Sequence, residues 1–205
     1  MNDYYTYRLE TGRDYAETER LTREAFWDVY RPGCDEHLLL HNLRNAPCHI
    51  GELSFVCETG DRGIVGACYS SVAEIADGTR THEAIVIGPI ATSPDFRKRG
   101  IGFRLLELTL SRARDLGYPC AVLFGNPDYY RKSGFTDASA FDIHLADGSD
   151  MSAFMCYPLD EERMKGVRGR YREDPVFTID PVELESFDKG FPPREKHRLP
   201  GQLFA

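Results

Sequence analysis

The change of hydrophobic period near residue 100 is the feature that most restricts how this chain folds. Residues 81–91, THEAIVIGPIA, form a β-branched apolar run that predicts a strand. From Ile101 the apolar residues recur at helical spacing instead, and Gly117 is well suited to end that helix. The buried face of the helix is formed by Leu106, Leu110 and Ala113. Residues 120–124, CAVLF, predict the next strand, so the chain contains a strand–helix–strand unit.

The residues before this unit predict a different arrangement of elements. Residues 5–9 alternate as a first strand does, and two helical segments follow within 14–27 and 31–44. Two further strands, within 52–58 and 63–75, are joined by the turn TGDRG as a hairpin. A doubly wound fold would alternate strand and helix throughout, so this order predicts a mixed α/β or α+β domain. A short helical turn in NPDYYRKSGF and a strand in SAFMCYPL complete the prediction.

Charge and cysteine content narrow the partners and the compartment. The 205 residues carry a net charge of -8, which repels nucleic acid and mildly favours a cationic substrate such as an amine. No run approaches the ~20 apolar residues of a membrane helix, and the N-terminus lacks the pattern of a signal peptide. The six cysteines are scattered without a C-x-x-C pair, which predicts buried free thiols. We therefore expect a cytoplasmic protein that binds neither nucleic acid nor membrane.

The loop RKRGIG, residues 97–102, stands immediately before the predicted helix. The first amides of a helix lack intrahelical partners, and glycines there let a phosphate approach the backbone. Three basic side chains add cationic donors, so the loop has the chemistry of a pyrophosphate cradle, although a solvated basic turn has the same composition. The Walker pattern is absent, and the dinucleotide fingerprint lacks its third glycine.

The strand ahead of this loop contains Gly88 and Pro89, which predict a bulge or a local parting of strands. Parted strands leave backbone groups that an extended, amide-bearing ligand can meet. A ligand with a pyrophosphate at the helix and an amide-rich arm along the strand has the chemistry of coenzyme A.

Two motifs about thirty residues apart make the chain resemble the GNAT superfamily of acetyl-CoA-dependent N-acetyltransferases. The family's loop signature has glutamine or arginine, then glycine three residues on, then glycine or alanine two residues later. Arg97, Gly100 and Gly102 match it. The family's tyrosine ahead of a Gly-Phe pair is matched by Tyr130. The resemblance covers residues 5–159 and implies a central mixed, mostly antiparallel sheet flanked by helices.

The resemblance also implies which residues bind the cosubstrate, acetyl-CoA. Backbone groups of Ile90, Ala91 and Thr92 would hold its pantetheine arm. Asn126, just after the fifth strand, would contact the coenzyme, as would Tyr130. The residues implied to hold the pyrophosphate are Arg97, Lys98, Arg99, Gly100, Ile101, Gly102 and Phe103.

The implied reaction is direct attack of a neutral amine on the acetyl thioester. A backbone N–H near Ile90 or Thr92 would stabilise the oxyanion. Tyr130 matches the family's general acid, which would protonate the departing thiolate, and a packing aromatic is the alternative role. Its neighbour Tyr129 is expected to be a packing residue.

The fourth strand lacks the glutamate that could act as the general base. Val86 stands where some family members carry a glutamate. The helix within 31–44 offers Glu36, His37 and His41 instead, with a solvated helix face as their alternative role. His37 and His41 have metal-compatible spacing, but no third ligand accompanies them, so no metal is expected.

Three functions are compatible with this reading of the residues. The leading one is an N-acetyltransferase that acetylates a primary amine of a small molecule or peptide, with acetyl-CoA and the amine as its partners. The missing base leaves a non-catalytic acyl-CoA-binding or regulatory module as the alternative. The third is an interaction module that binds no coenzyme. A homodimer is compatible with all three functions.

Residues 160–205 form a charged extension that lies outside the resemblance. Asp180 as N-cap and Pro181 as the first helical residue predict a helix over 181–188. Apolar side chains too numerous for a free linker favour its docking on the domain or on a second subunit, and a disordered tail is the alternative. They are Val176, Phe177, Leu184, Phe187, Phe191, Leu203 and Phe204.

Overall fold

The structure is a computed structural model that describes residues 4–202. The described strands are β1 (Tyr5–Leu9), β2 (Phe55–Thr59), β3 (Gly63–Ala76), β4 (Thr81–Thr92), β5 (Cys120–Phe124), β6 (Thr136–Asp137), β7 (Ile143–His144), β8 (Phe154–Pro158) and β9 (Gly169–Arg172). The described α-helices are α1 (Tyr15–Phe26), α2 (Glu36–Leu43), α3 (Ile101–Asp115), α4 (Pro127–Tyr130), α5 (Glu161–Met164) and α6 (Pro181–Asp188).

The strands form one sheet with the order β1-β2-β3-β4-β5-β8-β6. Neighbours along this path are antiparallel except β4 and β5, which are parallel because α3 crosses over between them. β9 pairs antiparallel with β3 and parallel with β7. The prediction of a mixed, mostly antiparallel sheet flanked by helices is therefore confirmed.

Helices cover both faces of the sheet. Leu105 and Leu110 of α3 pack in one apolar cluster with Cys68 of β3. The adjacent Ala67 and Tyr69 point to the opposite face and pack with residues of α1 and α2. Gly66 lets α3 approach closely, because a Cβ there would lie only 2.5 Å from the Ile101 side chain. The start of α3 is thus seated against the sheet.

The elements after residue 135 were the hardest to predict. Of these elements, β8 was predicted from the sequence, whereas the short β6, β7, α5 and β9 were not. β9 has the sequence GRYR and buries only Tyr171, so it shows no apolar run. It joins the sheet through the pairing of Ile75 with Tyr171.

The tail helix α6 occupies the range predicted for it. The Asp180 carboxylate accepts a 2.8 Å hydrogen bond from the Val182 amide, as an N-cap does. Phe187 and Phe191 pack against His37 of the same chain, with ring centroids 5.4 and 5.1 Å away. Leu203 and Phe204, part of the predicted apolar set, lie outside the described residues.

The six cysteines are buried free thiols, as predicted. Every helix within residues 4–202 is too short or too polar to span a membrane.

Candidate functional site

A gap opens between β4 and β5 on the carboxyl side of Val86. The two strands pair at Ile85 with Ala121 and at Val86 with Val122. From there β5 remains paired with β8, while the rest of β4 pairs with β3. The β3–β4 register shifts between Ile87 and Ile90, where Gly88 and Pro89 oppose Tyr69 alone. The predicted bulge and parting are both present.

The register tells which amides of β4 face this gap. The Ser93 amide donates to the Val65 carbonyl of β3 at 2.9 Å. Because hydrogen-bonded and non-hydrogen-bonded pairs alternate in an antiparallel ladder, Ala91 also bonds towards β3. Ile90 and Thr92 therefore direct their N–H and C=O groups into the gap. Of the three residues predicted to hold a pantetheine arm, Ala91 is the one whose backbone N–H and C=O groups point towards β3 and not into the gap.

Two cavities meet in the gap. The loop cavity, of about 250 Å³, is lined by Thr92, Arg97, Gly102 and Tyr129 among others. The acidic cavity, of about 290 Å³, includes the carboxyl groups of Asp35, Glu36 and Glu173 in its lining. Both cavities share the side chains of Phe26, Tyr30, Ile90 and Tyr130. Groups bound in the two cavities would therefore face each other at Ile90 and Tyr130.

The backbone of the glycine loop presents amides next to the loop cavity. Gly100 has a φ of 81° at the N-cap of α3, a conformation that favours glycine. The first intrahelical bond runs from the Arg104 amide to the Gly100 carbonyl, so the amides of residues 101–103 precede it. The Ile101 side chain is buried in the core, whereas Phe103 is partly exposed. The loop thus offers backbone donors, as predicted.

The basic side chains of the loop have different environments. Arg97 donates a 2.7 Å hydrogen bond to the Ala25 carbonyl near the end of α1, which fixes the loop to that helix. The Arg99 guanidinium lies 4.8 Å from the centre of the Phe96 ring. Lys98 is exposed. Only Arg97 of the three lines the loop cavity.

Tyr130 lies at the junction of the cavities and keeps its proton. Its ring packs over Gly125, where any Cβ would collide with it. Phe135 contacts the ring edge-on at 5.9 Å. Burial is the main cause that raises the pKa of the Tyr130 hydroxyl well above its ordinary value. A protonated phenol at this point is a suitable proton donor.

The residues next to Tyr130 in the sequence have other surroundings. Tyr129 packs edge-on against Tyr130, with ring centroids 5.0 Å apart, as expected of a packing residue, but it is also 44% exposed and lines the loop cavity. Its hydroxyl would be 3.3 Å from a Cβ at Gly102, so glycine there keeps the cavity open. Asn126 caps α4 by accepting a 2.9 Å hydrogen bond from the Asp128 amide, and it lines neither cavity.

Glu36 is the predicted base candidate that the structure places in the acidic cavity. Burial, and then the adjacent Asp35 charge, raise the pKa of its carboxyl to about 7. The Asp35 amide donates to it at 3.1 Å, and the nearby Arg31 guanidinium opposes the increase in pKa. A carboxyl poised near neutral pH can accept a proton from a substrate.

His37 is directed away from both cavities. It is fully buried beneath the tail, with Nε2 3.2 Å from the Asp188 carboxylate and Nδ1 3.4 Å from Cys34 Sγ. Burial lowers its pKa to about 4. His41 lies on the surface, 2.9 Å from Glu19. The prediction of His37 as a catalytic residue does not fit these surroundings, and residues 4–202 contain no cluster of three or more metal-ligating side chains.

The tail brings to the acidic cavity residues that the sequence did not indicate. Glu173, Phe177 and Ile179 line it. Their sequence carries no motif, and only the apolar content of the tail indicated that it docks. Phe26 and Tyr30 line both cavities, and no sequence motif predicted that position for them.

Comparison with known proteins agrees with this geometry. The sequence profile of the Acetyltransferase (GNAT) family matches residues 14–135, more than half of the chain. The N-acetyltransferase YhbS of Escherichia coli strain K12, itself uncharacterized, is 28% identical over 164 residues, which are 79% of this chain and 92% of that protein.

Solved structures share the fold. The crystal structure of YhbS from Escherichia coli in complex with CoA has a TM-score of 0.77 at 22% identity and covers 87% of this chain and 94% of that one. A GNAT family acetyltransferase from Brucella melitensis, crystallised with acetyl-CoA, has a TM-score of 0.67 at 25% identity. It covers 86% of this chain and 99% of that one.

Proposed function

The chain belongs to the acetyltransferase (GNAT) family, and we propose that it transfers an acetyl group from acetyl-CoA to a primary amine of a small molecule or peptide. The observation that carries the proposal is the meeting of two cavities at Ile90 and Tyr130. Direct transfer needs the two reacting atoms about 3–3.5 Å apart, which requires separate binding sites that open onto one point. The CoA and acetyl-CoA complexes of the structural neighbours support acetyl-CoA as the donor.

We place the coenzyme along β4 and at the start of α3. The gap-facing groups of Ile90 and Thr92 would bond the amides of the pantetheine arm as an added strand would. The pyrophosphate would accept hydrogen bonds from the amides of 101–103, with Lys98 and Arg99 adding positive charge. Arg97 would act by holding the loop on α1.

The amine would enter through the acidic cavity, and Glu36 would take its proton. The neutral nitrogen then attacks the thioester carbonyl, and the Ile90 amide, which faces the gap, donates a hydrogen bond to the resulting oxyanion. The attack forms the C–N bond, and collapse of the tetrahedral intermediate then breaks the C–S bond. Tyr130 donates its proton to the departing thiolate, which leaves as free CoA. The nitrogen loses its second proton as the amide forms, and this proton restores the Tyr130 hydroxyl, while the proton on Glu36 returns to solvent.

A cytoplasmic location is part of the proposal, because six buried cysteines remain free thiols and a reducing compartment keeps thiols reduced. We also propose that residues 5–159 carry the chemistry, with the tail contributing to the acceptor side.

The test is acetyl-CoA turnover across a panel of primary amines, with release of free CoA thiol and the acetylated amine measured together. We expect both to appear in equal amounts for at least one amine. Acetyl-CoA binding without turnover of any amine would instead identify a non-catalytic acyl-CoA-binding module. Absence of acetyl-CoA binding would contradict both.

A further inference from the structure

The tail builds one wall of the acidic cavity from residues that the family profile does not reach. The profile match ends at residue 135, whereas Glu173, Phe177 and Ile179 line the cavity. This wall, which we call the tail wall, consists of those three residues. Asp35 and Glu36 line the same cavity.

The Glu173 carboxylate accepts a hydrogen bond from a packed tyrosine. Tyr171 of β9 is 4% exposed and donates a 2.9 Å hydrogen bond from its hydroxyl to Glu173. The Tyr171 ring contacts Phe154 and Phe124, with centroids 5.1 and 5.8 Å away. Because Phe124 also lines the cavity, the aromatic group joins the tail wall to the end of β5.

Further contacts fix the tail to α1 and to the residues that follow it. Arg23 of α1 pairs with Asp188 at 2.7 Å. The Trp27 indole donates to the Glu195 carbonyl at 2.9 Å, and Asp28 accepts from the His197 amide at 3.0 Å. The α1–α2 connection, which carries Tyr30 and Arg31 into the cavity, is therefore held between the sheet and the tail.

The cavity combines negative charge with apolar walls. Its carboxyl groups are Asp35, Glu36 and Glu173. Among the described residues its lining cation is Arg31, which lies 2.6 Å from Asp35 and opposes the increase in the pKa of Glu36. The three carboxyl groups outnumber this cation, so the cavity favours a positive charge on the ligand. The apolar lining consists of Phe26, Tyr30, Leu39, Val86, Ile87, Pro89, Ile90, Phe124, Phe177 and Ile179. A volume of about 290 Å³ suits a small molecule.

We propose that the acceptor is a small primary amine, cationic in solution, on an apolar body of about the size of one aromatic ring. Glu173 attracts the ammonium group, Phe177 and Ile179 contact the apolar body, and Glu36 takes the proton before attack. An acceptor with a carboxylate next to the amine is disfavoured, because that carboxylate would face Glu173. This inference rests on the proposed acetyltransferase function and assigns the tail wall as its specificity determinant.

Three probes separate charge from apolar contact. 2-Phenylethylamine has both required features, phenylalanine adds a carboxylate to the same body, and ethanolamine lacks the ring. We expect kcat/KM for 2-phenylethylamine to exceed that for each of the others by about tenfold or more. Binding of each probe to the CoA-bound protein, measured by calorimetry, should give the same order.

Two variants then test the tail wall itself. Glu173→Gln should reduce the preference for 2-phenylethylamine over phenylalanine about tenfold, and Phe177→Ala should reduce the preference over ethanolamine by a similar factor. The controls are Glu185→Gln and Val182→Ala, which change exposed residues of α6 outside the cavity and should leave both ratios unchanged.

The outcomes distinguish this inference from the function on which it rests. Turnover of amines with equal kcat/KM for the three probes, or ratios that Glu173→Gln and Phe177→Ala leave unaltered, would overturn the tail-wall proposal alone. If no probe is acetylated, the calorimetric affinities of the three probes test the tail-wall proposal instead. Equal or undetectable binding of the three probes would overturn that proposal. Failure to turn over any amine at all would instead contradict the acetyltransferase function.

Discussion

Glu36 and His37 are adjacent in α2, and their different surroundings show how a single residue step decides a chemical role. Glu36 lines the acidic cavity, and burial raises the pKa of its carboxyl to about 7. His37 points to the other side of the helix, where the tail covers it and burial lowers its pKa to about 4. The sequence predicted both as base candidates because spacing alone cannot show which face of α2 meets the cleft.

The raised pKa of Glu36 predicts a pH dependence of activity. Because the carboxyl must be ionised to accept the amine proton, kcat/KM should rise as pH increases through about 7. Glu36→Gln should remove this limb and lower kcat/KM by about 10²-fold or more. The control Glu24→Gln, on an exposed position of α1, should keep the wild-type profile. An unchanged limb in Glu36→Gln would show that another group is the base.

The same pKa also predicts an effect on stability. The folded state holds the Glu36 proton more tightly than the unfolded state. The free energy of unfolding therefore decreases as pH rises from the ordinary carboxyl range through about 7. Thermal unfolding should therefore give Glu36→Gln a higher Tm than wild type at about pH 8. The difference should vanish near pH 4, where both states are protonated. A lower Tm for the variant at about pH 8 would contradict the burial of this carboxyl.

Tyr130 is expected to act in the chemical step and to contribute little to binding. Tyr130→Phe should lower kcat about 10²-fold, the low end for general acid catalysis, because thiolate is a good leaving group. The affinity for acetyl-CoA should change by less than about twofold, since the ring and its packing over Gly125 remain. Steady-state kinetics gives kcat, and calorimetry gives the affinity for acetyl-CoA. Wild-type kcat in the variant would remove Tyr130 from the mechanism.

At the scale of elements, the start of α3 and the loop before it form a single structural unit, which is the proposed site of the pyrophosphate. Gly66 seats the helix against the sheet, and Arg97 ties the loop to α1. Both the helix and its glycine loop were predictable, because helical periodicity and a glycine-basic motif are local signals. The contact between Arg97 and the Ala25 carbonyl was not, since it joins residues 72 positions apart.

A charge placed at Gly100 tests this unit directly. No atom lies within 4 Å of a Cβ at Gly100, but its φ of 81° strains most residues. Gly100→Asn tolerates that conformation and serves as the neutral control for Gly100→Asp. Calorimetry should show acetyl-CoA binding about tenfold weaker in the aspartate variant than in the asparagine variant, with the difference reduced at high salt. Equal affinities would show that the pyrophosphate lies elsewhere.

The docking of α6 depends on its aromatic face. Phe187→Ala removes ring contacts with His37, His41 and Phe191, so it should lower the free energy of unfolding by up to about 3 kcal/mol. It should also speed amide hydrogen exchange over residues 181–188. Val182→Ala, at a position 76% exposed, should change stability by less than about 0.5 kcal/mol. Full exchange of residues 181–188 within seconds in the wild type would exclude a docked helix.

At the scale of the whole molecule, the sequence predicted the sheet and its flanking helices but not that Glu173, Phe177 and Ile179 of the tail line the acidic cavity. The main strands and α3 have long apolar runs or clear periodicity, which are strong local signals. Residues 169–173, which comprise β9 and Glu173, bury only Tyr171, and the pairing of β9 with β3 sets their positions. Only the three-dimensional arrangement brings Glu173 to the acidic cavity.

We propose that donor and acceptor occupy the two cavities at once and that the acetyl group passes directly between them at Ile90 and Tyr130. Initial rates measured with acetyl-CoA and 2-phenylethylamine varied together test it most directly. Direct transfer predicts double-reciprocal lines that intersect, and no acetylated protein in the mass spectrum after incubation with acetyl-CoA alone. Parallel lines together with a covalent acetyl-enzyme would contradict it, because the two substrates would then never need to be bound together.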